Sequence, residues 1–298
     1  MFMEETHLAA VALSALEVLP GHPSDLASLL RCDSTRAALE SLSATDQTTE
    51  LAAWLIDEID YARVETWQKR IERAQQDLNA RVVMAHSSEY PTQLRGCWDA
   101  PPVLFVRGQF RGAVNVGIVG SRSATPDELN AAAEFAQAAV AAGHSVVSGL
   151  AAGVDGSAHR AAIGQGGHTI AVTGTGIRRV FPTEHTELAE NIIDSGGAII
   201  SQFAPDAPRT STTFLLRNCV IAGLSDLDVV VAGHDRSGSR HQADQAVRYG
   251  RPVLLWRPSL EKEAWASNMV SSGAAAFVET ASDMLPHMNA SLSSSSCR

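Results

Sequence analysis

The sequence predicts an α/β fold: a doubly wound, mostly parallel sheet behind a small N-terminal all-helical domain. Three observations carry this reading. From residue 115 onward, short apolar runs alternate with helical stretches, the pattern of a parallel sheet covered on both faces. Two of the runs, VNVGIV and HSVVS, break into loops of small residues, GSR and GLAAG, each followed by a helical stretch. Before residue 80 the apolar residues keep helical spacing throughout.

Taken in order, HLAAVALSALEVL is a helix that Pro20-Gly21 ends. SDLASLL opens with Ser24 as a cap and Asp25 in its first turn. The stretch from Thr48 to Ala80 is amphipathic and reads as one helix or two. Two extended pieces, RVVMA and VLFVRG, flank proline-rich turns and suggest an edge or junction element. The domain boundary is therefore placed near residue 80, giving a helical domain at 1–80 (SAM/helix-hairpin-like) and a sheet domain at 81–290. Strands are expected at 115–120, 144–148, 168–173, 197–201, 227–232 and 252–256, with a short final strand in AAFVE. Helices are expected at 127–142, 155–165, 184–195, 212–224, 239–249, 260–270 and 281–288. The tail from 291 to 298, rich in serine, has no means of burying a core and is expected to be disordered.

Bulk properties narrow the function classes. The 298 residues are 45% apolar, enough for a real core. No apolar run reaches the length that spans a bilayer, and the acidic N-terminus is unlike a secretory signal. A cytoplasmic location is expected. Cys32, Cys97, Cys219 and Cys297 are far apart and offer no metal-ligand spacing. The net charge is −10, but residues 1–80 hold 14 acidic and 6 basic side chains, which leaves 19 and 17 for the rest. The sheet domain is thus nearly neutral, and a local basic cleft fits on it.

The loops carry the chemistry. Gly120, Ser121 and Arg122 follow one strand, and Thr125-Pro126 with two acidic residues starts the helix behind them. Ser148 ends the next strand and opens SGLAAGVDGSAH, in which Gly149 and Gly153 permit close backbone approach to a ligand. Asp155 and His159 lie one helical turn apart, either as an acid–base pair or as a hydrogen-bond pair that shapes the loop. TGTG, with Gly174 and Gly176, adds a third small-residue loop at a strand end. Arg217 and Asn218 interrupt an apolar helix and need partners, at the ligand rim or in neighbouring loops. Ser237, Gly238 and Ser239 open a further helix, with Arg236, Arg240 and His241 around it. In a doubly wound sheet such loops meet on one rim, where backbone N–H groups and helix N-termini favour anions. A Walker lysine and a GxSxG elbow are missing, and no strand-end acid suits a ribose, which argues against a dehydrogenase.

These pieces resemble the DprA/Smf family of DNA-processing proteins, in family order over about residues 88–256. YPTQL, APPVLFVRG, VGIVGSRSAT, VVSGLAAGVDGSAH, GGHTIAVTGTGI, FP, GGAIIS, the F-LLRN-VIAGLS helix and the SGS loop carry the resemblance. It implies a Rossmann-like domain of the SLOG superfamily that binds single-stranded DNA at the carboxyl end of its sheet. It also implies a homodimer that loads RecA in recombination and natural transformation, with no metal, no cofactor and no chemical turnover. The binding role falls on Arg122, Gly149, Gly153, Asp155, His159, Arg217, Asn218, Ser237 and Gly238. The chain departs from the family at Leu215, Leu216 and Cys219, which stand where a proline and basic residues are usual, and at Gln202 and Gln242. Loss of that charge motivates an alternative, a sensor of a nucleotide-derived ligand, with phage defence as a setting. A phosphoribohydrolase ranks last, since SGSRHQAD lacks the glutamate of that branch.

Overall fold

The computed structural model describes residues 2–111 and 114–288. The tail from 291 to 298, with Cys297, lies outside the described residues. The chain divides into two compact units.

The first unit holds the chain up to Arg107 together with Gly176–Arg178 and Ser201–Ala207. It contains helices α1 (Phe2–Val18), α2 (Pro23–Arg31), α3 (Asp33–Ser41), α4 (Glu50–Glu58) and α5 (Tyr61–Leu78), strand β1 (Arg81–Met84), the short α6 (Thr92–Arg95) and strand β2 (Val103–Gly108). α1 is the central helix: Leu8 to Leu13 and Ala15 are all buried, and its alanines let α5 lie close. The Glu17 carboxylate accepts a hydrogen bond from Trp67 Nε1 at 3.0 Å and pairs with Arg63, locking the end of α1 to α5. The stretch from Thr48 to Ala80 is two helices, because Asp60 caps the second by accepting from the Ala62 N–H at 2.9 Å. α2 is capped by His22, not by Ser24 as expected; Pro23 takes the first helical position and Asp25 completes a capping box. A ring nitrogen can accept as a hydroxyl does, and proline fixes the start one residue earlier. α3 falls within the span read as helical throughout, as a separate short helix. The two extended pieces form an antiparallel pair, β1 with β2, in the register Val82↔Phe105.

The second unit holds the rest. Its elements are β3 (Asn115–Val119), α7 (Pro126–Ala141), β4 (Ser145–Ser148), α8 (Val154–Gly164), β5 (Thr169–Val172), α9 (Thr186–Asp194), β6 (Ala198–Ser201), α10 (Ser211–Leu224), β7 (Leu227–Val230), α11 (Gly238–Arg248), β8 (Val253–Trp256), the short α12 (Arg257–Leu260), α13 (Ala264–Ser271) and β9 (Ala276–Val278). Residues 284–288 are helical after a 3₁₀ turn at Ala281–Asp283. The strands are parallel in the order β6-β5-β4-β3-β7-β8-β9. The chain starts at β3, runs outward to β6, then returns through α10 to the other side of β3. Strand order reverses between β3 and β7, the place where such sheets leave a crevice beyond their carboxyl ends.

Local chemistry explains why the crevice is well framed. Thr125 and Glu128 form a capping box with Pro126 at the first helical position, so α7 begins abruptly after the GSR loop. Ala131, Ala132, Ala136 and Ala139 form a flat face around Phe135, and the helix packs closely on α8 and on Val116, Ile118 and Val146 of the sheet. The rim loops thus hang from a rigid core.

Candidate functional site

A cleft of about 640 Å³ opens at the strand-order reversal. Four segments line it: Gly120–Ser123 after β3, Ala151 and Asp155 at the start of α8, Ser211–Asn218 on the first turns of α10, and Gly233–Gln242 after β7. The first two are joined through Gly153, whose φ of +77° turns the chain into α8. A side chain there would stand 2.2 Å from the carbonyl oxygen of Ser121. The GSR and GLAAG loops therefore pack backbone on backbone, and the Val154 N–H donates to that same oxygen at 3.2 Å.

At the floor lies an ion pair. Arg217 Nη1 is 3.6 Å from Asp155 Oδ2, with both side chains about 95% buried. The same carboxylate oxygen accepts from the N–H groups of Gly149 and Ala151 at 3.2 and 3.3 Å. Burial raises the Asp155 carboxyl above its ordinary range, and the guanidinium and the two N–H groups oppose that. Arg217 Nε makes no hydrogen bond. Room for the guanidinium exists because residue 149 is glycine; a Cβ there would fall 1.1 Å from Nη1. Asp155 and His159 are not hydrogen-bonded partners. The Thr169 hydroxyl gives its proton to the Val146 carbonyl at 3.0 Å, so His159 Nδ1–H donates to Thr169 Oγ1 at 2.7 Å. Burial first, then the charges of His185, Arg160 and Arg217, push the His159 pKa down to about 3, which leaves a neutral strut between α8 and β5.

The opposite wall is pinned by Asn218, whose Nδ2 donates to the Gly238 carbonyl at 2.9 Å. Ser237 caps α11 by accepting from the Arg240 N–H at 3.2 Å, and Ser239 Oγ donates to the Ala232 carbonyl at 2.9 Å. Behind them Gln242 Nε2 donates to Asp228 Oδ1 at 2.7 Å, while Asp228 Oδ2 has no partner. Burial raises the Asp228 pKa to about 7, opposed by Gln242 and Arg251 and assisted by Asp226. The unfolded chain ionises this carboxyl near pH 4, so the folded chain holds an extra proton between about pH 4 and 7 and loses stability as pH rises through that window. Asp228→Asn is expected to flatten the fall of melting temperature across that range; an unchanged profile would refute the assignment.

Three cations around the mouth have no carboxylate partner among the described residues. Arg122 is exposed, with its guanidinium carbon 4.7 Å from the centre of the Phe214 ring. Arg236 is also exposed on the cleft lining, and Arg209 lies over the Phe181 ring at 4.3 Å. Arg240 is different: it pairs with Asp235 and lies 3.8 Å from Asp244, so its charge is locally cancelled. Leu215 and Leu216 are 44% and 47% exposed. This part of α10 is therefore apolar, as the departures at Leu215 and Leu216 imply. Among the described residues no group of three or more His, Cys, Asp or Glu side chains is placed to hold a metal ion.

Of the residues singled out in the sequence, Gly120, Ser121, Arg122, Asp155, Arg217, Asn218, Ser237, Gly238 and Ser239 line this cleft. Gly149, Gly153, Ser148 and His159 sit behind the lining; Ser148 Oγ donates to the Ile118 carbonyl at 2.6 Å and ties β4 to β3. Gly174 lies against Phe214, where a Cβ would come within 2.7 Å of the ring. Gly176 belongs to the first unit, its N–H bonded to the Ala207 carbonyl. Arg240 stands outside the lining. The stacking of Arg122 on Phe214, and the bridge that His185 makes between the Leu150 carbonyl and Arg160, were not foreseen. Neither leaves a short-range signal.

The family model described as DNA recombination-mediator protein A matches residues 81–289. The chain belongs to that family. The DprA/Smf resemblance read from the motifs is therefore a membership. Protein Smf of Escherichia coli K12 is 35% identical over 194 residues, 63% of this chain and 52% of that protein. DNA processing protein DprA of Bacillus subtilis is 32% identical over 195 residues, 64% of this chain and 65% of that protein. The matched regions thus span about half to two thirds of these relatives. Among solved structures, DNA processing protein A of Streptococcus pneumoniae superposes with a TM-score of 0.67 and 25% identity, covering 95% of each chain. DNA processing protein A of Helicobacter pylori, described for its single-stranded DNA binding mode, shares the fold with a TM-score of 0.63 at 23% identity, over 73% of this chain and 98% of that one. No helix of the described residues is long and apolar enough to cross a membrane.

Proposed function

We infer that the cleft binds single-stranded DNA by its phosphates and that the chain acts in DNA processing as a binder, without chemical turnover. One observation carries this: an exposed arginine, Arg122, is held on Phe214 at the mouth of a crevice lined by three helix starts, with no carboxylate among the described residues to neutralise it. Loop N–H groups and the N-termini of α8 and α11 favour phosphate oxygens at the same place. Membership of a recombination-mediator family supports the reading. In the same reading the chain works in the cytoplasm as a homodimer and passes its strand to RecA during recombination and transformation; light scattering and a RecA pull-down test those two points.

Arg122→Ala is expected to weaken oligo-dT binding at least tenfold, about 1.4 kcal/mol. A wild-type chain that binds no oligo-dT at low salt would end the proposal. A second reading, a nucleotide-derived ligand, is favoured by the exposed Leu215 on the cleft wall and by a volume within the range of about 300–1,000 Å³ usual for small-molecule sites. A thermal-shift screen separates the two: stabilisation by mononucleotides at micromolar concentration supports the ligand, and none supports the strand.

A further inference from the structure

We propose that the DNA track continues beyond the cleft, onto a second binding site formed by Phe181 and Arg209. The inference rests on the reading of the cleft as a single-strand site. The phenylalanine on the cleft lining, Phe214, is itself followed by another: the Phe181 centroid lies 6.0 Å away, tilted by 57°. Each ring carries an arginine, Arg122 over Phe214 and Arg209 over Phe181, with guanidinium carbons 4.7 and 4.3 Å from the ring centres. Arg217 approaches Phe214 as well, at 5.7 Å, from the buried side. The result is a ladder of two rings and two exposed cations that begins in the cleft and leaves it.

Its parts suit a nucleic-acid strand. A guanidinium resting on a ring keeps its plane fixed and its N–H edge free, since ring contact does not cancel its charge. Arg209 has no carboxylate or hydrogen-bond partner among the described residues and is exposed. Such a group offers a planar face to a base and N–H donors to a phosphate, the two things a sequence-independent single-strand site combines. Charge bookkeeping points the same way. α10 carries Leu215, Leu216 and Cys219, and Arg240 is tied to acidic neighbours. Arg209, six residues before Leu215, supplies an exposed cation just ahead of that helix.

The test is salt-titrated binding of two oligonucleotides, dT3 and dT15, to wild type, Arg209→Ala, Phe181→Leu and Arg122→Ala. For Arg209→Ala, dT15 affinity is expected to drop about fivefold. The slope of log K against log salt should shrink by about 0.7, one single-strand phosphate contact. Binding of dT3, short enough in this reading to be held by the cleft alone, should stay unchanged. Phe181→Leu keeps an apolar side chain but removes the platform, and should weaken dT15 about threefold with little change in slope. If Arg122→Ala weakens both oligonucleotides while Arg209→Ala changes neither affinity nor slope, the second site is refuted and the cleft reading stands. Equal loss of dT3 and dT15 in Arg209→Ala also refutes a separate site. Absence of binding by wild type overturns both readings together.

Discussion

Replacing Arg217 by methionine is expected to destabilise the chain by about 3–5 kcal/mol, the cost of leaving one member of a buried ion pair alone. Asp155 cannot escape to water. Its carboxylate is buried at the base of α8 and holds the Gly149 and Ala151 N–H groups that shape the GLAAG loop. Without the guanidinium, the carboxyl must take up a proton, or the loop must open to hydrate it. The variant should therefore lose least stability at low pH, where Asp155 is protonated. Asp155→Asn should restore part of the loss when combined with Arg217→Met, because an amide still accepts from the loop and carries no charge. Chemical denaturation of the two single variants and the double variant gives the coupling directly. A loss under about 1 kcal/mol for Arg217→Met would show that the pair is not a structural keystone. Binding should fall as well, since the same side chain lines the cleft.

The second large effect is expected at Gly153. Its φ of +77° and ψ of −128° lie in a region that residues with a Cβ hardly enter, which alone costs about 1–3 kcal/mol. The added methyl would also meet the Ser121 carbonyl at 2.2 Å and the Arg122 carbonyl at 2.8 Å. Both are backbone atoms and cannot rotate away. Overpacking of this kind adds about 1–3 kcal/mol, so Gly153→Ala should cost about 3 kcal/mol or more. The break is local: the GSR loop would separate from the start of α8, and Arg122 would lose its fixed position. Oligo-dT binding should therefore drop further than in Arg122→Ala, although Arg122 itself is untouched. A variant with wild-type stability and binding would overturn this account of the loop pair.

How much of this was legible beforehand follows from the range of each interaction. The capping box of α7 was visible because Thr125, Pro126 and Glu128 are neighbours. The parallel strands were visible as short apolar runs, and β3, β4, β5 and β7 stood out because they are rich in β-branched residues and break into small ones. His22 as a cap was missed because ring nitrogens seldom take that role, and Ser24 looked the better candidate. The partner of Asp155 was also missed. Sequence spacing suggested His159, one turn along the same helix, but α8 aims that ring at Thr169 of β5. Arg217 and Asn218 were rightly marked as a polar pair needing partners. Which partners they take depends on α10 crossing the sheet at the strand-order reversal, a feature of topology alone.

By itself the sequence determined the alternation of strands and helices, the small-residue loops at the strand ends and the family. All of these are written in contiguous residues, through local sterics, capping and the period of the apolar pattern. Tertiary structure alone decided that Arg217 closes on Asp155, that Arg240 is cancelled by Asp235, and that Arg122 and Arg209 rest uncancelled on a pair of phenylalanines. The reason is electrostatic: whether a side-chain charge is available to a ligand depends on what stands within a few ångströms of it, and folding sets those neighbours by bringing distant segments together.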